Sequence, residues 1–121
     1  MITDYTLLFI DDYSKPEELE RLIIPHRWQR AYSRGILETI EHRVGRDDLV
    51  FLDLETGDNM KDDPKEISSR VSKERFYVSV KDPADRKKAG RRAKKWNASG
   101  YRTRPIEHKD VVKILENISS E

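Results

Sequence analysis

Three aspartates stand at the ends of short apolar runs. Leu7-Leu8-Phe9-Ile10 stops at Asp11-Asp12, and Leu49-Val50-Phe51-Leu52 stops at Asp53. A third run, Phe76-Tyr77-Val78-Ser79-Val80, carries a hydroxyl near its end. Arg104 follows a further segment, residues 100–103, immediately before Pro105. Carboxylates gathered in one place repel one another unless a cation balances them, and a hard divalent ion with oxygen ligands, most simply Mg²⁺, does so. Asp11, Asp12 and Asp53 are therefore candidate metal ligands. Asp53 is also a candidate nucleophile toward phosphorus. Such transfer requires in-line positioning and neutralisation of the phosphoryl oxygens more than covalent help. The metal, Ser79 as a hydroxyl donor and Arg104 as a cation would supply it.

These residues meet only if the chain brings the ends of its apolar runs to one edge. Continuous apolar runs of four or five residues fit strands buried on both faces of a parallel sheet. Residues 28–32 are a further strand candidate, as are 100–103, which Pro105 ends. Helical patterns fill the gaps. Residues 16–24 carry Leu19, Leu22 and Ile23 behind Ser14, and residues 33–44 carry Ile36, Leu37, Ile40 and Val44 before Gly45. Residues 64–72 show Ile67 and Val71, residues 83–96 place Ala89, Ala93 and Trp96 on one stripe, and residues 109–118 carry Val111, Val112, Leu115 and Ile118. Between Asp53 and Met60 the chain reads as a polar, acidic loop. Strict alternation of strand and helix predicts an α/β fold, a doubly wound five-stranded parallel sheet of flavodoxin-like strand order 2-1-3-4-5. Ligands bind such sheets beyond the carboxyl ends of the strands. The first and third strands are neighbours in that order, so the three aspartates would crowd one edge.

At 121 residues the chain is expected to be a single domain, 1–121. It contains no Cys, which excludes thiolate chemistry, and its three His residues lie far apart. No apolar run approaches the roughly 18–20 residues of a membrane span. The N-terminus lacks the basic-then-apolar signature of a secretory signal, so a cytoplasmic protein without a membrane partner is expected. The net charge of +1 conceals two halves: residues 1–60 hold 13 acidic and 7 basic side chains, net −6, and residues 61–121 hold 10 acidic and 17 basic, net +7.

Taken in order, these pieces resemble the receiver domain of two-component response regulators. The matching segments are Ile10-Asp11-Asp12, then Asp48 through Leu54, then Val78-Ser79-Val80, then Ala98 through Ile106. The intervals fit as well: 41 residues from Asp12 to Asp53, 26 to Ser79 and 25 more to Arg104. The resemblance implies that Asp53 accepts a phosphoryl group from a histidine kinase or phosphotransfer protein. It implies that Asp11, Asp12 and Asp53 hold Mg²⁺ with the backbone carbonyl of Glu55. Ser79 would bond a phosphoryl oxygen and act with Tyr101 as the switch. Arg104 stands where the family usually has Lys. A planar guanidinium is not equivalent to a compact ammonium at a close phosphate contact. It can pair with phosphoryl oxygens, or lock onto Asp53 and hold one state. The loop after Asp53 also lacks the Pro that the family usually carries there.

The expected function is thus a single-domain response regulator, a phosphoprotein of Mg²⁺-dependent phosphorelay signalling and not an enzyme beyond its own phosphorylation and dephosphorylation. Its output would be binding to a downstream protein, and receivers often form homodimers through their last two helices. Arg86, Lys87, Arg91, Arg92, Lys94 and Lys95 form the expected partner surface. The alternative is a receiver-like module that does not switch and acts through this basic face on an acidic protein or nucleic acid. The segment Phe51 through Gly57 also resembles the first motif of a class of two-metal exonucleases, but that fold requires further acidic motifs, and the remaining 64 residues are strongly basic.

Overall fold

The computed structural model describes residues 49–60, 63–104, 106 and 109–118, together with the backbone of 6–10, 27–31, 108 and 119. The expected helices at 16–24 and 33–44 lie outside the described residues. The core is an α/β unit built on parallel strands. β1 is Thr6–Ile10, β2 is Arg27–Ala31, β3 is Leu49–Asp53, β4 is Phe76–Val80 and β5 is Gly100–Thr103. β4 lies between β3 and β5, with Asp53 beside Ser79 and Val80 beside Thr103. β1 registers in parallel against β3, placing Ile10 beside Leu52, and against β2, placing Ile10 beside Ala31.

Alternation along β3 and β4 sorts side chains to two faces. Val50, Leu52, Phe76, Val78 and Val80 join Leu54, Ile67, Val71, Ala89, Ala93 and Trp96 in one buried cluster. Leu49, Phe51 and Tyr77 join Ile106, Val111, Ile114 and Leu115 in another. Both faces of β3 and β4 are therefore covered, which explains why their sequences are apolar without alternation. Phe51 and Tyr77 stack across the strands with ring centroids 5.9 Å apart.

Three α-helices are described: α1, Leu54–Asn59; α2, Arg86–Lys95; and α3, His108–Ser119. α2 and α3 follow the apolar stripes in the sequence. α2 is entered through a 3₁₀ turn, Pro83–Asp85, where Asp82 Oδ1 accepts from the Ala84 N–H at 2.9 Å. It ends in a Schellman motif. Asn97 takes a left-handed φ of 59°, the Ala98 N–H donates to the Ala93 carbonyl at 2.8 Å, and the Asn97 N–H donates to that of Lys94 at 3.3 Å. Residues 64–72 differ from expectation, because the turn Pro64–Ser69 is 3₁₀ and not α. Asp63 caps it by accepting from the Lys65 N–H, and only Pro64 and Ile67 of the turn are buried, too few to line an α-helical stripe.

The segment after Asp53 is a second difference. It is helical, not a loop. Asp53 serves as its N-cap, and Glu55 in the first turn suits the positive end of the helix dipole. α1 buries Leu54, Thr56 and Gly57. Gly57 is required by close approach: a Cβ there would fall 2.5 Å from Trp96 Cη2 and 2.8 Å from Cζ3. The indole of Trp96 lies where any other side chain would sit.

Candidate functional site

Asp53 and Ser79 are the last buried polar positions of two adjacent strands, and their backbones are in register. They occupy the next alternate positions after Phe51 and Tyr77. β5 ends one residue before Arg104, whose N–H donates to the Val80 carbonyl at 2.8 Å and holds the backbone beside β4. From there the guanidinium turns inward. Arg104 Nη2 donates to Ser79 Oγ at 3.2 Å and lies 3.8 Å from Asp53 Oδ1. The side chains of Arg104 and Asp53 are only 10% and 3% exposed. Three of the sequence-predicted site residues thus converge at one sheet edge.

The two oxygens of Asp53 are divided between neighbours. Oδ2 accepts from the Thr56 N–H at 3.1 Å and from the Thr56 hydroxyl at 3.2 Å. Oδ1 faces Arg104 at an ion-pair distance longer than a hydrogen bond. Arg104 therefore meets Asp53 by charge while it donates a hydrogen bond to Ser79, and it is not forked across the carboxylate. The Glu55 backbone carbonyl accepts from Asn59 Nδ2 at 2.9 Å, and the Glu55 side chain is exposed. Asp11 and Asp12 follow Ile10 in the chain but lie outside the described residues. Among the described residues no cluster of three or more acidic or histidine side chains could hold a metal.

A cleft of about 450 Å³ opens beside this edge, with Asp53, Asp58, Lys81 and Lys88 among its walls. Asp58 is the hub of its outer wall. Its carboxylate accepts from Arg92 Nε at 2.7 Å and pairs with Lys88 Nζ at 3.1 Å. Burial pushes the Asp58 carboxyl up, but the hydrogen bonds and charges of Arg92 and Lys88 outweigh it and hold the group below its ordinary value. Asp58 thereby ties α1 to α2.

Tyr101 is half-buried and packs against the cluster formed by Trp96, Ala89 and Ala93, with its ring 3.9 Å from the position of a Cβ on Gly90. Of the expected partner surface, Arg86, Lys87, Arg91, Lys94 and Lys95 are exposed, whereas Arg92 is drawn aside by Asp58. Arg102, unnoticed in the sequence, lies over the Tyr77 ring at 4.9 Å and donates to the Tyr101 carbonyl at 3.0 Å. Thr56 and Asp58 were also missed as site residues. An aspartate three residues ahead is a capping signal for Thr56. Asp58 lies 34 residues from Arg92, and no local pattern links them.

No protein-family model matches this chain, and no curated protein or solved structure matches it.

Proposed function

We propose that the chain is a response-regulator receiver domain, with Asp53 accepting a phosphoryl group from a histidine kinase or phosphotransfer protein in a cytoplasmic phosphorelay. The observation that carries this reading is the convergence of a buried carboxylate, a buried hydroxyl and a guanidinium at one strand edge, with Arg104 Nη2 3.2 Å from Ser79 and 3.8 Å from Asp53. The reading takes the complete sheet as five-stranded and doubly wound in the flavodoxin-like order 2-1-3-4-5. The parallel register of β1 against β2 and β3 supports that order.

In this reading Oδ1, the oxygen that does not hold the α1 cap, attacks phosphorus. The P–N bond of a phosphohistidine donor breaks as the new O–P bond forms, and the departing imidazole takes up a proton. Arg104 balances charge on the phosphoryl oxygens. Ser79 accepts from Arg104, so its own hydroxyl proton is directed to a phosphoryl oxygen. Mg²⁺, held by the carboxylates of Asp11, Asp12 and Asp53 and the Glu55 carbonyl, would neutralise the same oxygens. The new charge biases a two-state element that includes Ser79 and Tyr101, and the surface around α2 and β5 passes the state to a downstream protein or a second copy of the chain.

The test is incubation with a small-molecule phosphodonor and Mg²⁺, followed by intact mass. One phosphoryl adduct is expected on the wild type and none on Asp53→Asn. An unmodified wild type, or undiminished labelling of Asp53→Asn, overturns the assignment. The second reading, a receiver-like module that does not switch, draws on the hold that Thr56 keeps on Asp53 Oδ2. It predicts no change in melting temperature when Mg²⁺ and a phosphate mimic are added together, whereas a switch predicts a rise.

A further inference from the structure

We infer that the solvent face of α2 is a docking strip for the sugar-phosphate backbone of nucleic acid, independent of the chemistry at Asp53. Seven of the ten residues of α2 are Lys or Arg, and none is acidic. Ala89 and Ala93, with Trp96 just beyond the helix, are buried against the sheet. Helical geometry sets Lys87, Arg91 and Lys94 on the opposite side, with Lys95 next to them, and all four are exposed. At about 1.5 Å of rise per residue, Lys87, Arg91 and Lys95 follow one another at steps of about 6 Å. Among the described residues these four make no ion pair, whereas Lys88 and Arg92 on the flank are pinned by Asp58. The ridge is therefore a row of cations held on one rigid element.

Such a row is costly on its own. Lys87 with Arg91 and Arg91 with Lys95 are like-charge pairs at helical spacing, and each opposes the helix. Arg86, Lys87 and Lys88 also meet the positive end of the helix dipole. A bound polyanion removes both penalties.

The composition of the ridge selects among polyanions. Protein interfaces are rich in aromatic anchors and poor in Lys, and this ridge has no apolar or aromatic side chain. A membrane-surface helix needs an apolar face to insert, but the apolar face of α2 is buried in the core. A phosphate backbone needs only spaced cations. Four cations spaced along one ridge suit backbone phosphates, which carry no sequence information, so binding independent of sequence is expected.

The experiment is fluorescence anisotropy of a labelled duplex DNA with the intact chain across a salt series. With four phosphates neutralised, the slope of log affinity against log salt is expected to be about −3 to −4, roughly a hundredfold loss from about 50 mM to about 200 mM salt. The quadruple variant Lys87→Gln, Arg91→Gln, Lys94→Gln, Lys95→Gln should lose at least about tenfold in affinity while keeping its helix, because Gln is as good a helix former as Lys. A control with the same charge change elsewhere, Lys65→Gln, Lys73→Gln, Lys109→Gln, Lys113→Gln, should bind like the wild type. No binding at the lowest salt, equal losses in both variants, or equal affinity for a poly-glutamate peptide overturns the inference. Asp53→Asn should bind DNA as the wild type does, so failure of the phosphorylation test and failure here are distinguishable.

Discussion

Asp53 accepts two hydrogen bonds from Thr56 through one oxygen, from the backbone N–H at 3.1 Å and from the hydroxyl at 3.2 Å. The carboxylate at the centre of the candidate site is thus also the residue that starts α1. Through α1 it is tied to Trp96, by way of Gly57, and to α2, by way of Asp58.

Asp53→Ala removes the cap, and a loss of about 1 kcal/mol in stability is expected, with Asp53→Asn costing less because Asn also caps. Urea unfolding of the two variants checks this. Equal stabilities for both variants would show that the cap contributes nothing.

Gly57→Ala places a methyl group 2.5 Å from Trp96 Cη2. Helix propensity alone favours Ala by about 1 kcal/mol, but overpacking costs about 1–3 kcal/mol. A net loss is expected, accompanied by a red shift in the emission of Trp96 recorded in a Trp28→Phe background. A more stable variant with unchanged emission would contradict the contact.

Asp58 titrates below its ordinary value of 3.8 in the folded chain, because Arg92 and Lys88 favour its charged form more than burial opposes it. A depressed carboxylate contributes stability that is complete above the unfolded value and is lost as pH falls through the folded value. The stability difference between wild type and Asp58→Asn should therefore be constant from about pH 8 down to about pH 5 and shrink below about pH 4. Chemical denaturation across that range measures it, and a difference that grows on acidification would reverse the sign.

Arg104→Ala removes the donor to Ser79 and the charge facing Asp53, with an expected cost of about 1–3 kcal/mol because these groups are buried. Arg104→Lys keeps the charge and loses the planar fork. If the guanidinium is what restrains the site, Arg104→Lys accepts phosphoryl groups faster than the wild type in the intact-mass assay. A slower reaction assigns Arg104 to phosphoryl stabilisation.

Much of this molecule is legible in its sequence. Strands β3 and β4 lie where the apolar runs predict them, because a strand covered on both faces must be apolar throughout, and β5 occupies the expected residues 100–103. α2 and α3 follow their stripes. The convergence of Asp53, Ser79 and Arg104 follows from the ends of those strands, since parallel strands in register bring their carboxyl ends to one edge.

Other features depend on residues far apart in the chain. A polar segment with a central glycine gives no helical period, yet it folds as α1 because Asp53 caps it and the Trp96 indole fills the space above Gly57. That Arg104 bonds Ser79 and stands off Asp53 is decided by where the β5 backbone leaves the sheet. That Lys88 and Arg92 are held while Lys87, Arg91, Lys94 and Lys95 face solvent is decided by Asp58, 34 residues from Arg92. Periodicity is a property of neighbouring residues and is written in the chain. Which oxygen meets which cation is set by how separate elements pack, and only the tertiary structure decides it.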